Sequence, residues 1–370
     1  MRTVIDVRTI SDHFPGIGRY AYHLVSALAR QKNRGELVLV HNPGLANTRY
    51  NLAAIASEEN VRLVHTSASP FSVREQVRLP RSLRRLAPER THFLHWNVPY
   101  ASPRPFVLTV HDIIPLRLPQ YFTPWQRAWY RMSIAFAMRA AACVICVSEA
   151  THSDLKAAFP GMRARVSVIH EGVGRTFRPC TEAESAYVRA KYALPKNYLL
   201  YVGSNKPHKN LPALIDAYAR LRGAPSLLLA GAKDPRYPEA RHRVEMLGLR
   251  GRVRFLGTIP EADLPFLYGN ARAFVFPSAY EGFGLPPLEA MACRTPVACS
   301  DIPSLREVAG DAALFFDASS TASISAVLES VLEDEELRAG LRIRGLERAA
   351  RMTWDLAAQK TLEVYSSGLA

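Results

Sequence analysis

Two glutamates eight positions apart bracket a glycine-punctuated stretch, Glu281-Gly-Phe-Gly-Leu-Pro-Pro-Leu-Glu289, directly after the apolar run Ala273-Phe-Val-Phe276. Read as strand, loop and helix, this spacing puts Glu281 in the loop and Glu289 about one turn into the helix. Gly282 and Gly284 would let the backbone approach a ligand closely, and the positive end of the helix suits a diphosphate. One carboxylate can then reach sugar hydroxyls and the other a ribose. The plainer alternative is two helix-start acids favoured by the macrodipole. Lys209 ends another polar loop, Gly203-Ser-Asn-Lys-Pro-His-Lys209, ahead of a helix that Asn210 can cap. A cation there would neutralise charge growing on a leaving diphosphate, unless it is simply a solvated lysine. His111 and Asp112 follow the apolar run Phe106–Val110. A histidine just beyond a strand end can hydrogen-bond a hydroxyl or move a proton.

These residues need a scaffold that presents strand ends. The chain opens as strand Thr3–Val7, loop Phe14-Pro-Gly-Ile-Gly18 and helix Arg19–Arg30, followed by the short apolar runs Glu36–His41, Phe106–Val110 and Cys143–Val147. The pattern restarts at Tyr198–Val202 and continues through Ser226–Ala230, Val253–Leu256 and Ala273–Phe276. Buried strands alternating with helices predict two α/β units, each with a parallel sheet covered on both faces. The polar stretch Arg178–Glu184 marks the boundary. Gly16-Ile-Gly-Arg-Tyr-Ala21 is a weak dinucleotide string in the wrong context, separated from Val7 by eight residues and with no acid closing the second strand. Cys143 and Cys146 lie within one buried strand, where residues three apart face opposite ways, so they read as core thiols.

In the E-x7-E segment and in Ala290-Met-Ala-Cys-Arg-Thr-Pro-Val297 the chain resembles the large retaining glycosyltransferase family 4, and the resemblance extends over almost the whole sequence. It implies a GT-B fold, two Rossmann-like domains with parallel sheets facing across a cleft, here 1–178 on the acceptor side and 179–350 for the nucleotide sugar. The segment 351–370 is expected to cross back as a helix to the first domain. Glu281 would contact the donor sugar and Glu289 the ribose, with Gly282, Phe283, Gly284 and Leu285 also binding the donor. Lys209 matches the phosphate-binding lysine; Ser204 stands where many members have arginine, so either Lys206 substitutes or the site works with one cation fewer. His111, with Asp112 beside it, matches the HD segment and joins Glu281 as the catalytic pair. Gly16 and Gly18 belong to the loop that closes over the donor phosphates. Arg294 occupies a usual glycine position, which puts the local loop geometry in question. Glu171 replaces the usual asparagine and reads as a change without a role.

Composition narrows the partners. Of the net charge of +14, residues 1–178 carry +13, from 24 basic and 11 acidic side chains. A basic first half predicts something anionic near it. On a helix through 73–86, Arg74, Arg78, Arg81 and Arg85 form one stripe opposite Leu79, Leu83 and Leu86, a candidate surface for the acceptor or for anionic lipid, with Pro80 kinking or dividing the helix. The alternative is a solvated face. Asp6 interrupts any amino-terminal apolar stretch, and Met132–Val147 is too short and carries Arg139, so neither secretion nor a membrane span is expected. The reading is a cytoplasmic enzyme, peripheral on the inner face of the membrane, that moves a hexose from GDP- or UDP-sugar, GDP-mannose leading, to a lipid-linked or anionic glycan. It requires no cofactor beyond the nucleotide sugar; without an Asp-x-Asp motif, no metal is expected. A sugar synthase or phosphorylase making a soluble disaccharide is the second reading. Nucleic-acid binding, which a pI of 9.8 invites, lacks any motif.

Overall fold

A computed structural model describes residues 2–32 and 35–367. The chain forms two compact units, Met1–Gly172 with Thr353–Ala370, and Val173–Met352. The first contains β1 (Arg2–Asp6), β2 (Glu36–His41), β3 (Val61–His65), β4 (Arg90–Phe93), β5 (Phe106–Val110), β6 (Cys143–Cys146) and β7 (Val166–Val168), in the order β3-β2-β1-β4-β5-β6-β7. The second contains β8 (Tyr198–Val202), β9 (Ser226–Ala230), β10 (Val253–Gly257), β11 (Ala273–Phe276), β12 (Val297–Ser300) and β13 (Ala313–Phe316), in the order β10-β9-β8-β11-β12-β13. Every pairing is parallel. Strand order reverses between β1 and β4 and between β8 and β11, and ligands of such sheets bind at those switch points, beyond the strand ends. Helices cover the sheets with apolar faces; Leu24 and Leu28 of helix Pro15–Arg30 and Leu214 and Ile215 of helix Leu211–Arg220 are fully buried.

The unit boundaries differ from those read in the sequence. The breaks fall at 172/173 and 352/353 rather than after 178 and 350. Gly172 is locked into the first unit, because a Cβ there would lie 2.1 Å from the Trp354 backbone nitrogen. Val173 already donates its N–H to the Met352 carbonyl, 3.0 Å away within the second unit. The polar stretch 178–184 is not a linker. Thr181 and Glu184 make a capping box for helix Glu182–Tyr192, and Arg178 pairs with Glu184 at 2.6 Å.

Three further expectations are corrected. Helix Pro15–Arg30 starts four residues early, so Gly16 and Gly18 lie in its first turn rather than in a loop. Asn210 adopts left-handed backbone and makes no side-chain cap; its amide instead donates to the Ala318 carbonyl at 2.8 Å. Pro80 sits inside a single helix, Glu75–Arg85, without dividing it. Among the described residues no helix is long and apolar enough to cross a membrane.

Arg294 keeps the geometry a glycine would supply. Helix Leu285–Ala292 ends in a Schellman motif: Arg294 N–H bonds to Met291 O, Thr295 N–H bonds to Ala290 O, and Arg294 has φ +63°. The side chain is exposed, so Arg294→Gly removes a left-handed penalty and no packing. The expected gain is about 1 kcal/mol, raising Tm by about 2–4 °C in a thermal melt; an unchanged or lower Tm would contradict this account.

Candidate active site

In the second unit the loops after β8 and β11 meet at the switch point. Lys209 Nζ lies 2.5 Å from Glu281 Oε1, both side chains mostly buried, with Nζ 5.4 Å from the centre of the Phe276 ring. Tyr201 fixes the β8 loop by donating its hydroxyl to the Ser204 carbonyl at 2.7 Å. His208 is buried beside Lys209, which together hold its pKa down at about 4 and keep it neutral. Lys206 is exposed. Gly284 has φ +126°, and a Cβ there would meet Leu305 at 2.6 Å, so only glycine fits.

The anion-binding argument from the helix start is weaker than the sequence suggested. Leu285 is its first residue and the next two are Pro286 and Pro287, so only Leu285 of the first three carries an N–H. The dipole remains; two donors do not. Phe283 is buried under the loop. Glu289 is 1% exposed and accepts the Tyr268 hydroxyl at 3.0 Å through one of its two oxygens.

The ends of β8, β9 and β10 surround a small recess of about 40 Å³ rimmed by Gly203, Gly231, Tyr237, Arg241 and Phe255. Gly231 is indispensable there, since a Cβ would lie 1.9 Å from the Gly203 carbonyl oxygen. Sequence reasoning missed this recess; the glycines closing β8 and β9 were the available signal. A wider hollow lined by Asn197, Arg222 and Arg272 opens at the opposite strand ends and does not adjoin these residues.

In the first unit Gly18 lets helix Pro15–Arg30 press onto the loop after β1, where a Cβ would lie 2.8 Å from the Thr9 carbonyl, while Gly16 is exposed with open space around it. His111 follows β5. Its Nε2 lies 3.0 Å from the Leu94 carbonyl, which can only accept, so Nε2 carries hydrogen. Its Nδ1 lies 3.5 Å from Glu171 Oε1, and Tyr20 packs edge-on at 4.6 Å. Glu171, read from the sequence as a change without a role, is thus a buried carboxylate facing the candidate catalytic histidine. Asp112 accepts the Ile114 N–H at 3.0 Å and so shapes the following turn. Arg74, Arg78, Arg81 and Arg85 are all exposed on one side of helix Glu75–Arg85, with Leu79 and Leu83 buried on the other. Among the described residues no group of three or more His, Cys, Asp and Glu side chains is placed to hold a metal ion.

Comparison with known proteins agrees with this architecture. The model of Glycosyltransferase Family 4 matches residues 15–176, and that of Glycosyl transferases group 1 matches residues 188–348. The chain is 31% identical to O-antigen chain mannosyltransferase B of Escherichia coli, with 99% of each covered. Sucrose-phosphate synthase from Thermosynechococcus elongatus has the same fold, with a TM-score of 0.81 at 21% identity over 98% of each chain. Anabaena HepE, solved with UDP and glucose, gives 0.79 at 20% identity over the full length of both. Two doubly wound parallel sheets, a basic and an acidic side chain paired at a switch point, and full-length similarity together place this chain in glycosyltransferase family 4, as a glycosyltransferase of GT-B fold.

Proposed function

We propose that the enzyme transfers mannose from GDP-mannose, with retention of configuration and without a metal ion, to a lipid-linked glycan of a cell-envelope polysaccharide. The full-length similarity to an O-antigen chain mannosyltransferase is the observation that carries the donor and acceptor. In this reading Lys209 and the loop through Gly282–Leu285 hold the diphosphate, and the base lies across the mouth of the recess rimmed by Gly231 and Phe255. Glu281 contacts the donor sugar in the second unit, and in the first unit Glu171 orients His111 for proton transfer or for a hydroxyl. The test is turnover with GDP-mannose against UDP-glucose, using a manno-oligosaccharide acceptor with and without EDTA. The expected result is GDP release, retained product and no loss with EDTA; faster turnover of UDP-glucose or a strict metal requirement would refute it. The sucrose-phosphate synthase likeness, at 21% identity, supports the fold alone and not a soluble disaccharide product.

The four exposed arginines support peripheral attachment at the cytoplasmic membrane face, each worth about 1 kcal/mol against anionic headgroups. Val73, Trp125 and Met132, 89%, 78% and 64% exposed, supply apolar contacts in the same unit. Co-sedimentation with anionic vesicles should fall when Arg74, Arg78, Arg81 and Arg85 are changed together to Gln, and with added salt. Equal sedimentation of both proteins would leave the stripe as a solvated face.

A further inference from the structure

The loops after β1, β3 and β4 and helix Pro124–Ala140 carry five aromatic rings into one cluster, of which the mechanism above uses none. Phe71 is its hub, with ring centres 5.9 Å from Phe14, 5.2 Å from His95, 5.6 Å from Trp96 and 6.1 Å from Trp129. This is not core packing, for Phe71 and Trp129 remain 41% and 37% exposed. The rings stand at the carboxyl ends of the strands, on both sides of the β1/β4 switch point, where an open α/β sheet receives ligands. Phe14 immediately precedes the glycine-bearing turn that starts with Pro15.

Phe71 is held out against its own backbone preference. Its φ is +62°, a region that aromatic residues rarely adopt. Its N–H donates to Glu75 Oε2 at 2.8 Å, and Glu75, 1% exposed, is fixed by Arg8 at 2.6 Å and Asn97 at 2.8 Å. Arg8 also grips Asp6 at the end of β1 at 2.7 Å. Strained backbone persists only where its surroundings enforce it, and here a buried ionic network enforces the outward presentation of a ring. His95 adds polarity. Its Nδ1 accepts the Asn97 N–H at 3.2 Å, leaving Nε2 as the hydrogen-bearing nitrogen, and burial near His111 and Arg8 keeps the ring neutral, with a pKa of about 3. The guanidinium of Arg8 is already engaged by two carboxylates, so the cluster offers apolar faces and a neutral donor, not a cation. That chemistry fits a pyranose ring, which has a face of C–H bonds to lay on an electron-rich ring and hydroxyls around its edge.

We infer that Phe71, Phe14 and Trp129 form a stacking platform for a sugar ring of the acceptor, with His95 donating to one of its hydroxyls. Its place in the reaction rests on the glycosyl transfer proposed above; the binding itself does not. The test is calorimetry of the full chain with a soluble mannotriose and, separately, with GDP. Phe71→Gly is the decisive variant, because it deletes the ring and relieves the backbone at once, so Tm should hold or rise. The expected result is at least tenfold weaker mannotriose binding for Phe71→Gly and Trp129→Ala, with GDP affinity changed less than twofold. Unchanged mannotriose affinity in both variants, or no saturable mannotriose binding by the wild type, overturns the platform, and neither bears on GDP binding. Should the variants instead lose affinity only for detergent micelles, the rings hold a lipid chain and the sugar platform is refuted.

Discussion

Glu281→Gln is expected to lower turnover by about 100-fold or more while nucleoside diphosphate binding stays intact or tightens a few-fold. The turnover loss follows from removing a charge placed where the donor sugar would lie. The gain in binding follows from the ion pair. Glu281 Oε1 sits 2.5 Å from Lys209 Nζ, so the carboxylate occupies the position a phosphate oxygen would take on that lysine. A diphosphate must displace it, and the amide, which carries no charge, yields more readily. Folding should change little, since the loop lies at a strand end rather than in a core. Steady-state rates and calorimetry with GDP check both halves. Turnover above half of wild type would remove Glu281 from the reaction; a tenfold weaker GDP complex would mean that the lysine and the carboxylate do not compete.

The complementary expectation concerns the lysine. Lys209→Ala should weaken nucleoside diphosphate binding by about 10–100-fold, the range for hydrogen bonds to charged groups, and nucleoside monophosphate binding by much less. Two effects add in the diphosphate complex. The cation is lost, and Glu281, mostly buried and now unpaired, repels the outer phosphate. A monophosphate, anchored through its base, lacks that outer group. Equal losses for GDP and GMP would place Lys209 away from the diphosphate.

Much of this architecture is legible in the residues, and its gaps have physical causes. β5, apolar but for Thr109, and β8, a run of Tyr, Leu and Val, announce buried parallel strands. β4 is hidden because Arg90-Thr-His-Phe93 looks polar, yet all four residues are buried. His92 is satisfied by Tyr365 at 2.6 Å and Thr109 at 2.8 Å, partners 273 and 17 residues away that no local pattern reveals. Lys209 and Glu281 were identifiable separately, but their pairing across 72 residues was not. Glu171 looked idle because only the fold sets it against His111. Phe71 had no signal at all: nothing in Ser69-Pro-Phe-Ser72 announces left-handed backbone, which is imposed by Glu75 and through it by Arg8.

The way the chain leaves and re-enters its first unit has a consequence for biosynthesis. Helix Trp354–Ser366 belongs to that unit, and Trp354 and Tyr365 are buried in it against Tyr20 and His92. A ribosome delivers these residues only after all of 173–352. The first unit therefore cannot complete its core until the whole of the second has been synthesised, whereas the second unit is one uninterrupted segment whose ends meet at Val173 and Met352. Order of synthesis and order of completion are thus inverted. The inserted unit can finish first, and the host unit waits for helix Trp354–Ser366 with His92 and the Gly172 backbone unsealed.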